Sequence, residues 1–109
     1  MGNLIVGEIS FELIGALRPL MSRIKKQDKS LGDQLARAAS SIALNIAEAD
    51  YSDGGNKRAR LFTAAGSASE TRAALRVATQ WGYLAADDAA AAQALLDRII
   101  AVLWKLTHR

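Results

Sequence analysis

Hydrophobic residues recur along this chain at the three- and four-residue steps of an α-helix, in four blocks separated by polar breaks. In the first block Ile9, Leu13, Ala16, Leu17, Leu20 and Ile24 share one side, with Arg18, Ser22 and Lys25 opposite. Pro19 falls inside it and lacks the N–H of one backbone bond, so a kink near the middle is expected. The Gln27-Asp28-Lys29-Ser30 segment reads as the connection. Ser30 is the expected cap of the second helix, and the helix dipole favours Asp33 in its first turn. That helix carries Leu31, Leu35, Ala38, Ile42, Ile46 and Ala49 as its apolar stripe and runs to about Asp50. Tyr51-Ser52-Asp53-Gly54-Gly55 then breaks it, and Asn56 is the expected cap of the third helix.

The third block has two stripes. Leu61, Ala64, Ala68, Leu75 and Ala78 form a core stripe; Ala59, Thr63, Gly66, Glu70, Ala73, Val77 and Trp81 form a second, more than a quarter turn away. Arg58, Arg72 and Arg76 stand between them as a cationic ridge. Gly66 inside a helix costs about 1 kcal/mol against Ala, which a close helix–helix approach would offset. Gly82 suits a left-handed cap, and Asp87 and Asp88 suit the first turn of a fourth helix. There Leu95, Leu96, Ile99, Ile100, Val102, Leu103 and Leu106 cover a face wider than one neighbour requires, leaving Asp97, Arg98, Ala101 and Lys105 for solvent. Helices of this length with short connections pack against their sequence neighbours. The prediction is an all-α, antiparallel up-down-up-down four-helix bundle, one domain over residues 1–109.

Within the second helix Arg37, Ser41, Asn45 and Glu48 fall on one polar stripe beside the apolar one. Arg and Glu bordering a buried face need partners. Glu70 on the next helix is the candidate, with Asn45 and Ser67 completing a polar network of Arg37, Glu48 and Glu70. A solvated polar face is the alternative reading. The run Gln34-Leu35-Ala36-Arg37-Ala38-Ala39-x-Ser41-Ile42-x-x-Asn45-Ile46-Ala47-Glu48, then Gly66-Ser67-x-x-Glu70, then Trp81-Gly82-Tyr83-Leu84, carries a resemblance. It is similar to the bacterial four-helix-bundle family of 23S rRNA intervening sequences, and so to the accessory variability proteins of diversity-generating retroelements. Many relatives read Pro where Ala43 or Leu44 stands and Gly where Ala49 stands, and the Asp50 to Asn56 loop is not their Arg- and Ser-rich version. The resemblance implies a ring-shaped homopentamer whose basic surfaces engage RNA, DNA or a reverse transcriptase.

Composition narrows the remaining classes. Half of the 109 residues are hydrophobic, but Ala supplies much of that share and only six are aromatic. Ala-rich helices bury little area each, so association would add burial that a lone chain lacks. Without cysteine there is neither a disulfide nor a thiolate metal site. The longest apolar run of the last helix, Ile99 to Trp104, falls far short of the ~20 residues that span a bilayer. Met1-Gly2-Asn3-Leu4 lacks a signal peptide's features. A cytoplasmic protein with no membrane partner is expected.

The formal charge of +3 is unevenly placed. Basic residues crowd segments 18–37 and 57–76, while 48–53 and 87–97 are acidic. Such asymmetry suits nucleic acid or an acidic partner; solvated helix faces are the alternative. The expected phosphate contacts are Arg18, Lys25, Lys26, Lys29, Arg58, Arg72 and Arg76, which would set affinity without reading sequence. No aromatic platform stands between them in the sequence, so recognition of single-stranded bases is not expected.

Catalysis has little to stand on. His108 is the only histidine and lies one residue from the C-terminus, where fraying is expected. Asp87-Asp88 and Glu8/Glu12 read as structural acids rather than a cation site, and the Glu-x-x-His pairs of di-iron bundles are missing. Asp53-Gly54-Gly55-Asn56 lacks the Lys-Ser/Thr of a phosphate-binding loop. The chain reads as a non-enzyme without metal or cofactor: a nucleic-acid-binding oligomer or, alternatively, a structural oligomer that binds protein alone.

Overall fold

Each block of helical periodicity becomes one helix, and its apolar stripe turns toward a common axis. The computed structural model describes the backbone of residues 2–109 and the side chains of residues 5–109; the reading of Met1 to Leu4 lies outside those side chains. The helices are α1 (Gly2–Gln27), α2 (Lys29–Asp50), α3 (Gly54–Gln80) and α4 (Ala86–Thr107). They pack in a ring, α1 on α2, α2 on α3, α3 on α4 and α4 back on α1. This is the up-down-up-down bundle the pattern predicts, 42 Å long and about half as wide.

Val6, Ile9, Leu13, Leu17, Leu20 and Ile24 of α1 are buried, as are Leu35, Ile42 and Ile46 of α2. All five residues of the core stripe of α3 are buried too, joined by Thr71, whose hydroxyl donates to Ser67 O at 2.7 Å. Ser10 likewise donates to Gly7 O at 2.6 Å. These local bonds satisfy hydroxyls that burial would otherwise leave costly. α1 continues through Pro19 without interruption, the ring on the exposed side. The wide apolar face of α4 is spent inside the chain. Leu96, Ile99 and Leu103 are fully buried, and Leu95, Ile100, Val102 and Leu106 pack against the core, because α4 has two neighbours rather than one.

Two caps differ from expectation. α1 runs to Gln27, so the turn is a single extended residue, Asp28, whose Oδ1 accepts from Leu31 N at 3.0 Å. Ser30 is therefore already helical. The tight joint brings α2 against α1: a Cβ on Gly32 would strike Lys25 Cγ and lie 3.3 Å from its Cα. Asp28→Ala should cost about 1 kcal/mol and Ser30→Ala under about 0.5 kcal/mol, read as shifts of the urea midpoint. At the next turn Gly54 takes φ +54°, and Asp53 O accepts from Asn56 N at 3.2 Å and Lys57 N at 3.4 Å. The first helical bonds thus form ahead of Asn56, which sits inside the helix instead of capping it.

After α3 the expected glycine cap is present. Gly82 has φ +80°, Tyr83 N donates to Ala78 O at 2.9 Å and Gly82 N to Thr79 O at 3.0 Å, the paired bonds of a Schellman ending. Asp87 and Asp88 lie in the first turn of α4, and Asp88 Oδ2 accepts from Ala85 N at 3.1 Å.

Candidate nucleic-acid interface

Antiparallel packing sorts the basic residues between two ends of the bundle. Lys25 and Lys26 end α1, Lys29 begins α2, and Arg72 and Arg76 lie in the second half of α3, toward the Asp28 end. Arg58 sits at the Asp53 end, about 27 Å from Arg76 at 1.5 Å per residue. The ridge of α3 is one face, but it is not one patch.

Acids also stand against several of these cations, one through i,i+4 spacing on a single helix and the others across seams. Asp33 accepts from Lys29 Nζ at 2.9 Å and lies 3.6 Å from Lys25 Nζ. Arg72 Nη1 donates to Asp97 Oδ1 at 3.3 Å, and Arg23 Nη2 to Asp88 Oδ2 at 2.9 Å. The hydrogen bond from Lys29 holds the Asp33 carboxyl below its ordinary range; the bond from Arg23, helped by Ala85 N, does the same for Asp88. The expectation that the acids lie elsewhere is thus corrected for Lys25, Lys29 and Arg72: Asp33, one turn along α2 from Lys29, pairs with it and faces Lys25, and Asp97 of α4 pairs with Arg72. Arg18, Lys26, Arg58 and Arg76 are exposed and, among the described residues, without a carboxylate partner.

The polar stripe of α2 divides in the same way. Ser41 and Asn45 are half-buried at the α2–α3 seam. Ser41 Oγ lies 2.8 Å from Ser67 Oγ, and Asn45 Nδ2 donates to Ser41 O at 2.9 Å and Ser41 Oγ at 3.0 Å. Arg37, Glu48 and Glu70 are exposed, and no ion pair among the described residues joins them. The neutral centre of the expected network forms; its charged members stay in water, where an unpaired charge is cheap. The second stripe of α3, Ala59 to Trp81, is exposed throughout, and a Cβ on Gly66 would meet nothing within 4 Å. Within one chain, then, no close helix approach offsets that glycine.

Sequence reasoning missed an aromatic cluster at the Asp53 end. The Arg58 guanidinium lies over the Phe62 ring at 5.3 Å, Phe62 meets His108 edge-on at 6.3 Å, and His108 stacks on Trp104 at 4.3 Å. An aromatic platform does adjoin a predicted cation, contrary to expectation. The available signals were two i,i+4 pairs, Arg58/Phe62 and Trp104/His108. His108 caps α4 through Trp104 O rather than standing loose.

Among the described residues no three His, Cys, Asp or Glu gather as a metal site requires, and no helix is long and apolar enough to cross a membrane. Residues 2–105, all four helices but for the last turn, match the 23S rRNA-intervening sequence protein family. The chain belongs to that family. Its fold also matches the crystal structure of a protein of unknown function from the S23 ribosomal protein family of Bacteroides thetaiotaomicron VPI-5482. The TM-score is 0.90 and the identity 20%, with all of both chains covered. At that identity the likeness speaks for the fold alone. No curated protein matches the chain. Family membership accounts for the conserved-looking order of helices and motifs, while the electrostatics above belong to this chain's own residues.

Proposed function

We propose that this protein is a non-catalytic bundle that assembles with itself, as the pentamer the resemblance implies, and binds nucleic-acid backbone through its basic faces. The observation that carries the reading is that, of the seven expected phosphate contacts, Arg18, Lys26, Arg58 and Arg76 are exposed and without a carboxylate partner among the described residues. Lys25, Lys29 and Arg72, each shared with an acid, contribute less. The free cations are scattered, so a single chain holds a polyanion weakly; repetition around a ring multiplies the contacts by avidity. A reverse transcriptase that brings the nucleic acid is the narrower form of the reading, supported by the likeness to retroelement accessory proteins. It is tested by whether such an enzyme is encoded beside this chain.

The test is fluorescence anisotropy with labelled random-sequence duplex and RNA at rising salt. Affinity should fall steeply, each neutralised phosphate adding roughly 0.9 to the log–log slope on duplex. The triple variant Arg18→Glu, Lys26→Glu, Arg76→Glu should weaken duplex binding at least roughly tenfold and flatten its salt dependence with an unchanged helical spectrum, because all three side chains are in solvent. Duplex affinity and salt slope unchanged in the triple variant sink this reading. So does the absence of binding at low salt, which leaves an oligomer that contacts protein through the exposed stripe of α3.

A further inference from the structure

Six cations without an ion pair among the described residues meet exposed aromatic surface at one end of the bundle. Residues 54–69 hold Lys57, Arg58 and Arg60 and no carboxylate; residues 98–109 hold Arg98, Lys105 and Arg109 and none either. Because α3 and α4 run antiparallel, these segments adjoin toward the Asp53 end. No ion pair among the described residues reaches any of the six cations. The carboxylates of this end belong to other elements: Glu48, Asp50 and Asp53 to the end of α2 and the turn after it, Glu8 and Glu12 to the first half of α1.

Between the two segments lies the aromatic cluster. His108 and Trp104 are stacked at an interplanar angle of 11°, and Phe62 stands edge-on to His108 at 61°. The stack is held in place. Trp104 O can only accept, so His108 Nδ1 carries the proton in their 2.9 Å contact. Thr107 Oγ1, buried and donating to Leu103 O at 2.8 Å, lies 3.1 Å from the same nitrogen. The imidazole is thereby fixed parallel to the indole before any ligand arrives. Trp104 nevertheless stays 59% exposed and Phe62 45% exposed. A rigid aromatic surface loses little freedom on binding.

We infer that the Phe62–His108–Trp104 ladder is a stacking site for unpaired bases of single-stranded nucleic acid, with Arg58 and its neighbouring cations on the phosphates. A ring face accepts every base, so such a site tolerates any sequence, and cations beside it track the backbone. Bases in a duplex are already stacked on one another, so the ladder selects single strands. A protein partner would need an acidic face of its own to match six cations of one sign, whereas a nucleic acid carries that charge at every phosphate. The inference rests on the reading above only in taking nucleic acid as the ligand. It uses residues other than Arg18, Lys26 and Arg76, on which that reading is tested.

The experiment compares three probes of equal length: oligouridine, an abasic sugar–phosphate strand and a duplex. Trp81→Phe leaves Trp104 as the sole tryptophan, so its emission reports stacking directly. Oligouridine should quench that emission and bind roughly tenfold more tightly than the abasic strand. Trp104→Ala should erase the advantage, Trp104→Phe should restore most of it, and neither should alter duplex binding. If both single strands bind equally and Trp104→Ala changes nothing, stacking is overturned while the backbone reading stands. If no probe binds at low salt, both fall. A changed sedimentation mass for Trp104→Ala would make the ladder a contact between copies and overturn the inference.

Discussion

Leu96→Ala should cost about 2–5 kcal/mol of unfolding free energy. Leu96 is fully buried near the middle of α4, the helix that closes the ring by touching both α3 and α1. The change removes the transfer energy of the lost carbons and leaves a cavity. How large the penalty is depends on how far the surroundings collapse. Here they have little to give: Ala92, one turn earlier on α4, is itself buried, and a methyl group cannot reach across a void. A domain of this length has roughly 5–15 kcal/mol in total, so the variant loses a large share of its stability. Urea denaturation followed by circular dichroism reads the effect as a lower midpoint at unchanged slope. A shift worth under about 1 kcal/mol would show that the bundle does not pack around α4 as described.

The second large effect concerns assembly. If the chain assembles as proposed, Val77→Asp should leave it helical and convert the assembly to a species of 11.6 kDa. In one chain Val77 is 42% exposed and Trp81 70% exposed, with Ala59, Thr63, Gly66 and Ala73 beside them along the outer stripe of α3. A carboxylate there is solvated while the chain is alone. Between copies the same carboxylate is buried without a partner, at a cost of several kcal/mol in each subunit. Sedimentation velocity separates the two masses. An unchanged mass would move the interface off this stripe, and a native chain that is already monomeric at micromolar concentration would end the assembly reading altogether.

Helical periodicity made the fold legible, because the buried sides of α1, α2 and α3 follow three- and four-residue steps that no strand would satisfy. Cap positions were less so. Asp28 and Ser30 are both good acceptors, and the choice between them depends on how tightly α1 turns onto α2, which is a tertiary matter. Burial of polar groups was legible only in part, for Ser41 and Asn45 reach the seam while Arg37 and Glu48, on the same stripe, extend past it. Charge was the least legible: Lys29 and Asp33 pair at i,i+4 spacing that the sequence shows, but the pairings of Lys25, Arg72 and Arg23 depend on register between helices. Once Arg72 is set opposite Asp97, ten residues toward the start of α3 lies Phe62, and ten residues onward along α4 lies Thr107. That register, invisible in one dimension, removes a predicted phosphate contact and assembles the aromatic ladder.

The ring of contacts also bears on how the chain folds. Three of its four seams join consecutive helices, and the α1–α2 seam needs only the single residue Asp28 to reverse direction. Such hairpins form from local encounters and nucleate quickly. The fourth seam, α1 on α4, joins the two ends of the order, and the Arg23–Asp88 pair that fastens it spans 65 residues. Its loop is the longest and therefore the costliest to close in chain entropy. That seam is the one whose closure makes the greatest demand on the chain, and until it forms α1 and α4 each leave an apolar flank open to water.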